Sequence, residues 1–387
     1  MLLLVQFAAF TLFLSGWAAG QSASSSDIVD TTATAVEPAT TCPAITLERS
    51  VGPYTGVAPL PPAAPVPAPN PGSNSAGSVC VSSPANGATV SSPVHIKAAA
   101  KLVNPIYFIR VFADGNARYF DWYNTVDAFL WLAPGTHAIE ILAMDKTGKE
   151  VSTKFTLNVT STKPAPVTQI QTLPLWDGCS AKFPPGHPRA GQLCAAGEGN
   201  AVSTITENQS SPSLSGHSAK FTMGGPVRYS NMLWTKYLGG GAAPTHFIYD
   251  LWFYVDNPQV VQALEFDTNQ TFLNTRWVFG TECNLKGDHV WDVWDGVNGW
   301  TPTKAPCSSL PAKTWNHLVW TFQRVGTQVR YVSVELNGTT FPLNLYLSNQ
   351  AKVPWRFEGI DVAFQMDGDY RQDPYTVWLD KVTLSAY

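Results

Sequence analysis

The chain has 387 residues, 24 Lys+Arg against 28 Asp+Glu, and a formal net charge of −4. Only 13% of residues are charged, and this near-neutral balance excludes the basic stripe of a nucleic-acid binder. An apolar content of 44% excludes wholesale disorder, and 30 prolines with 29 glycines are too few for a collagen or an all-linker chain.

Leu2 to Leu14 is an apolar run broken by Gln6 and Thr11, with small residues following at Ala18 and Gly20. The pattern predicts a secretory signal peptide over 1–20, cleaved before Gln21. No Lys or Arg precedes the run, which leaves the α-amine as its positive charge. The run is short of the ~20 residues that a membrane span needs, so an uncleaved anchor is the lesser alternative. The mature protein is then expected outside the cell, secreted or surface-displayed, with no membrane span. Residues 21–78 form a Pro/Ala/Ser/Thr-rich linker. Its stretch VAPLPPAAPVPAPNP over 57–71 favours extended polyproline II, a semi-rigid spacer.

Residues 79–162 read as a small all-β unit. Val94–Ala98, Ile106–Phe112, Ala128–Leu132, His137–Ala143 and Phe155–Val159 are short β-branched or alternating runs, and Asp114-Gly115 is a hairpin-turn dipeptide. About seven strands at this spacing are a sandwich signal. SSPANGATVSSPVHIKA, VFADG and LAPGTHAIEILAMDKTG resemble bacterial immunoglobulin-like modules. That resemblance implies an immunoglobulin-like β-sandwich serving as spacer or adhesion unit.

Residues 163–387 lack amphipathic helical periodicity and are dominated by period-2 runs. These fall at 245–256, 261–270, 276–282, 315–325, 329–338, 360–369 and 375–387. A single all-β domain of this size fits two large antiparallel sheets packed face to face. The order of runs, with the closing strand VWLDKVTLSAY, resembles the concanavalin A-like jelly roll of lectins and glucanases. The fold class expected for the whole chain is all-β, a smaller immunoglobulin-like sandwich followed by a larger jelly-roll sandwich.

The six cysteines contain no C-x-x-C, and an even count in an exported chain points to disulfides with 15 connectivities open. Local pairing gives Cys179–Cys194, Cys283–Cys307 and Cys42–Cys80. N-x-S/T sequons lie at Asn158, Asn208, Asn269 and Asn337.

Strand alternation selects candidate site residues. Glu265, Asp267 and Asn269 share one face of their run, with Leu264, Phe266 and Thr268 on the other. Asp361, Ala363, Gln365 and Asp367 face away from Val362, Phe364 and Met366. His246, Asp250, Trp252 and Tyr254 share a face. Carboxylates and amides bridge sugar hydroxyls and Trp stacks on pyranose rings, so these residues suit a glycan on a concave sheet face. Trp291, Trp294 and Trp300, in the loop between Cys283 and Cys307, would form a stacking platform. Alternatively, some of these Trp plug the sandwich end.

Glu265-Phe-Asp267-Thr-Asn269-Gln270 resembles the catalytic strand of laminarinase- and lichenase-type glucanases. The resemblance implies Glu265 as nucleophile and Asp267 as the residue that tunes it. Their last acid is replaced here by Asn269 or Gln270, so a second carboxyl has to come from a neighbouring strand, from Asp250 or Asp367. Asp288 and His289 lie just before the Trp cluster, His289 serving as a base or as a solvated loop residue. Asp367-Gly-Asp369 with Asp373 offers oxygen ligands for a structural Ca²⁺, or reads as a tight turn. No cofactor motif is visible: G-x-S-x-G is absent, and Gly239-Gly240-Gly241 lacks the Lys of a phosphate loop. The first expectation is non-catalytic recognition of a polysaccharide or glycoconjugate. The second is a glycoside hydrolase or polysaccharide lyase with Glu265 as nucleophile or base. The third is a structural adhesion protein without a glycan site.

Overall fold

The computed structural model describes residues 42, 47, 77–160, 163–180, 201–307, 310–353 and 358–387. The expected signal peptide and nearly all of the Pro-rich linker lie outside the described residues. Among the described residues no helix is long and apolar enough to cross a membrane. The fold is all-β, in two sandwiches of two sheets each.

The small sandwich has strands β1 (Ser78–Ser83), β2 (Thr89–Val90), β3 (Val94–Lys101), β4 (Ile106–Ala113), β5 (Asn116–Asp121), β6 (Thr125–Leu130), β7 (Gly135–Asp145) and β8 (Glu150–Val159). One sheet runs β1-β3-β6 and the other β2-β8-β7-β4-β5. Alternation builds its core: Val94, Ile96, Val126, Leu130, Ile139 and Ile141 are buried from both sheets. Asp114 and Gly115 join β4 to β5 with φ of 52° and 75°, the left-handed pair that a two-residue hairpin requires. A disulfide ties Cys42 to Cys80 on β1.

The large sandwich has β9 (Asp177–Cys179), β10 (Val202–Gln209), β11 (Ser218–Gly224), β12 (Asn231–Gly239), β13 (His246–Val255), β14 (Val261–Phe272), β15 (Thr275–Phe279) and β16 (Thr281–Asn284). It continues with β17 (Val290–Asp295), β18 (Gly299–Pro306), β19 (Trp315–Val325), β20 (Gln328–Leu336), β21 (Thr339–Leu347), β22 (Gln350–Lys352), β23 (Gly359–Gly368) and β24 (Tyr375–Ala386). Seven strands form the sheet β10-β11-β24-β13-β19-β20-β21. Nine form the other, β18-β17-β16-β14-β23-β12-β9, with β15 beside β14 and β22 beside β15. Between them lies a core rich in aromatics. Phe247, Tyr249 and Phe253 of β13 meet Phe266 of β14 and Phe364 of β23, all fully buried. Each such side chain contributes about 1.5–3 kcal/mol by leaving water.

Several strands of this sandwich were not read from the sequence, β9 to β12, β21 and β22 among them. β11 alternates over only seven residues, with Ala219, Phe221 and Met223 inward, and β10 and β12 carry no clean alternation of large apolar residues. The Trp-rich segment between Cys283 and Cys307 is a hairpin, β17 and β18, where a loop was expected. Asp295 closes its turn by accepting from Val297 N at 2.9 Å and Asn298 Nδ2 at 2.7 Å, a short-range capture typical of Asp.

The two sandwiches touch through Trp131, which follows β6 and is buried among the core residues of the large sandwich. Its backbone N donates to Gly240 O at 3.0 Å and its indole N–H to Ala386 O at 3.1 Å. A Cβ on Gly240 would collide with the carbonyl of Arg118, so only glycine permits this approach.

Candidate functional site

The outer face of the nine-stranded sheet is a grid set by strand register. In β14, Leu264 and Phe266 enter the core, so Ala263, Glu265, Asp267 and Asn269 face outward. In β23, Ile360, Val362, Phe364 and Met366 enter the core, so Asp361, Ala363, Gln365 and Asp367 face outward. Glu265 stands opposite Gln365 on one side and opposite Glu282 of β16 on the other, and Glu282 stands opposite Asp292 of β17. One row across the sheet therefore reads Asp292, Glu282, Glu265, Gln365, Leu233. Asn284, Ala263, Asp367 and Asn231 form the row on one side. On the other side come Asp267, Ala363 and Thr235, then Asn269, Asp361 and Tyr237.

Hydrogen bonds knit the rows. Gln365 Nε2 donates to Glu265 Oε1 and, at 3.1 Å, to Asp367 Oδ1. Two acceptors on one nitrogen lie within ~6 Å of each other, about two hydrogen-bond lengths. Asp267 Oδ1 accepts from Thr281 N at 2.8 Å. Asp292 Oδ2 accepts from Asn284 Nδ2 at 3.0 Å. Asp361 Oδ1 accepts from Asn269 Nδ2 at 2.8 Å and Arg276 Nη2 at 3.1 Å.

Burial and like charge raise four of these carboxyls, Glu265, Glu282, Asp267 and Asp367, above the ordinary range. Burial, then Asp367, Asp267 and Glu282, push Glu265 well up, against the pull of the Gln365 amide. Burial and then Asp367, Asp292, Asp267 and Asp288 push Glu282 to about 8. Asp267 is pushed to about 7 by burial, although the Thr281 N–H and Arg276 draw it down. Asp367 is also pushed to about 7 by burial, against hydrogen bonds from Gln365 and Asn231. Near neutral pH the cluster thus holds protonated and ionised carboxyls side by side, the condition for proton transfer to and from a substrate. Glu265 and Asp267 are 8% and 9% exposed, whereas Glu282 and Asp367 are half-buried and form the solvent side.

Of the residues the sequence suggests, Glu265, Asp267, Asn269, Gln365 and Asp367 share this face. Asp250 and Trp252 do not, which corrects the expectation that they join it. They sit on the outer face of the seven-stranded sheet, where Asp250 Oδ1 pairs with His317 Nε2 at 2.8 Å and Trp252 stacks on His317 at 4.6 Å. Alternation tells which side of its own sheet a residue occupies, not which sheet. Asp367 is therefore the neighbouring-strand acid within reach of Glu265, and Asp250 is not. Trp291 is fully buried, edge-on to Trp320 at 5.3 Å, and is core instead of platform. Trp294 and Trp300 face each other across the β17–β18 hairpin, half-buried, with ring centroids 5.3 Å apart.

Glu282 was missed. It lies in the four-residue strand Thr-Glu-Cys-Asn, too short to show a period. Its local signals are the run 276–282, whose Trp277 and Phe279 turn inward, and the neighbouring Cys283, whose burial in a core disulfide turns Glu282 outward. Cys283 pairs with Cys307, and Cys179 is disulfide-bonded. Cys194, its expected partner, lies outside the described residues. Asp369 holds a turn, its Oδ1 accepting from Arg371 N at 2.8 Å and Gln372 N at 3.2 Å, and its Oδ2 pairs with Lys286 at 3.5 Å. Asp373 is exposed beside that turn. Among the described residues no group of three or more His, Cys, Asp or Glu is arranged to hold a metal ion.

No protein-family model matches the chain, and no curated protein does. Among solved structures it is similar to a carbohydrate-binding module of the β-sandwich superfamily, at 11% identity and TM-score 0.30, over 80% of this chain and 98% of that one. It is similar to an alginate lyase in complex with alginate trisaccharide, at 10% identity and TM-score 0.30, over 47% of this chain and 88% of that one. A carbohydrate esterase from a Shiga toxin-encoding bacteriophage gives 14% identity and TM-score 0.30, over 49% of this chain and 88% of that one. At such identities and scores, function rests on the chemistry of the site itself.

Proposed function

We propose that the outer face of the nine-stranded sheet binds a polysaccharide or glycoconjugate and cleaves its glycosidic bonds. The observation that carries this is the cross-strand pairing of Glu265 with Glu282. Directly opposed strand residues hold their Cβ atoms about 4.5–5.5 Å apart. Retaining glycoside hydrolysis uses two carboxyls about 5–5.5 Å apart. The Gln365 amide donates to Glu265 and pulls toward the carboxylate form that a nucleophile needs, against the burial and like charge that raise it, so attack requires Glu265 to give up its proton first. Glu282, half-buried and pushed to about 8, arrives protonated and suits the general acid. Glu265 would attack the anomeric carbon while Glu282 protonates the departing oxygen. Glu282, now ionised, would then take a proton from the water that releases the sugar from Glu265. Asp267 and Asp367 set the charge around the pair. Both working groups are side chains, so the reaction requires no cofactor.

On this reading the small sandwich is an immunoglobulin-like spacer and the large one a concanavalin A-like jelly roll. The protein then works outside the cell, a setting that the disulfides Cys42–Cys80 and Cys283–Cys307 support. The test is release of reducing ends from a glycan panel by the full chain, beside E265Q and E282Q. Each variant is expected to lose about 10²–10⁴-fold in turnover with binding retained. Unchanged turnover in E265Q would overturn the assignment. Non-catalytic recognition is the second reading, favoured by the half-buried pair Trp294 and Trp300 beside the acidic row. It predicts binding with no turnover by the wild-type chain.

A further inference from the structure

We propose that the glycan this face takes is a polycation, a chain of 2-amino-2-deoxy sugars carrying free ammonium groups. The inference rests on the glycan reading above and adds the charge of the ligand. Among the described residues, five side-chain atoms on this face are buried without a hydrogen-bond partner: Asn231 Oδ1, Asn269 Oδ1, Asp292 Oδ1, Asp361 Oδ2 and Asp367 Oδ2. The two amide oxygens are acceptors, and the three carboxyl oxygens are acceptors in the ionised form that a bound cation favours. Asn231, Asn269 and Asp292 are 4% exposed and Asp361 is 0% exposed. A buried acceptor left unpaired is unfavourable, and a donating ligand would relieve it.

Their placement points to a chain. Four of the five form two cross-strand pairs, Asn231 with Asp367 and Asn269 with Asp361, while Asp292 ends the central row. Asp361 and Asp367 are six residues apart on one strand, roughly 20 Å at ~3.4 Å per residue. Different units of one polymer would meet the two pairs, with Glu265 and Glu282 between them.

The charge around them points the same way. The charged groups that act on Glu265 are Asp367, Asp267 and Glu282, and those that act on Glu282 are Asp367, Asp292, Asp267 and Asp288. Arg276 and Lys286 are each held by a carboxylate, Arg276 by Asp361 at 3.1 Å and Lys286 by Asp369 at 3.5 Å. A uronate chain would bring more negative charge to this surface. An ammonium brings three donors and no acceptor, and its hydrogen bonds to carboxylates are charge-assisted.

The experiment is calorimetry of the full chain with a glucosamine hexasaccharide, its N-acetylated counterpart, a hexuronate and hexalysine, at low and high salt. The glucosamine chain is expected to bind at least tenfold more tightly than the other three and to weaken as salt rises. D361N, and independently D292N at the end of the row, are expected to lower that affinity about tenfold, with thermal unfolding confirming that each variant is folded. Equal or tighter binding of the N-acetylated chain or the hexuronate overturns the proposal, as does no binding of the glucosamine chain. Hexalysine binding as tightly would show a general cation surface and also overturn it. Glucosamine-chain binding without release of reducing ends supports the charge assignment and defeats the hydrolase reading. Cleavage of neutral glycans with no preference for the amino sugar does the reverse.

Discussion

Glu282, Asp267 and Asp367 titrate at about 8, 7 and 7 in the folded chain, whereas unfolded carboxyls titrate near ~4. Between ~4 and those folded values, the native state keeps protons that the unfolded chain has released. Stability therefore falls as pH rises through this window, by up to about 1.4 kcal/mol per pH unit for each group, and the effect levels off above pH ~8. Thermal unfolding between pH 5 and 9 should show Tm dropping across the range, with a shallower drop in E282Q. A flat wild-type profile would show that these carboxyls are not buried together. Asn269 illustrates the same burial differently. Its amide is 4% exposed and donates to Asp361, so its sequon is expected to stay unmodified in any glycosylating host, as peptide mass spectrometry would show.

At the scale of elements, β17 presents opposite consequences on alternate residues. Trp291 fills the core, so W291A is expected to cost about 3–5 kcal/mol, readable by denaturant unfolding. Trp294 lies outward and half-buried, so W294A should change stability little and glycan affinity more. The disulfide behind Glu282 closes a loop over a separation of 24 residues, and replacing both Cys283 and Cys307 with Ala should cost about 3 kcal/mol. The sequence made the long alternating strands legible. β13, β14, β19, β23 and β24 each carry their period in ten or more residues. Glu265, Asp267, Asn269, Asp361, Gln365 and Asp367 came from that period. Glu282 was hidden because β16 is four residues long and its place is fixed by pairing with β14. Asp250 was misplaced because its strand has the right period but belongs to the opposite sheet.

Across the whole molecule, Trp131 makes the small sandwich contribute to the core of the large one. Calorimetry of the wild-type chain is therefore expected to show the two sandwiches melting together. In W131A, which empties that socket, the transition should split in two. Two separated transitions in the wild type would show that the contact is too weak to couple them. The strands β14, β16, β17 and β23 also place site and core on alternate residues of the same segments. For the gene this makes the kinds of heritable change unequal. Codons for the outward residues can be rewritten one at a time, trading acid for amide or aromatic, while the core stays intact. Loss of a single codon within β14 would swap the faces, driving Glu265 and Asp267 inward and Leu264 and Phe266 into water. Descendants of this protein are thus free to change what they bind by substitution, and are barred from doing so by one-residue insertion or deletion in these four strands.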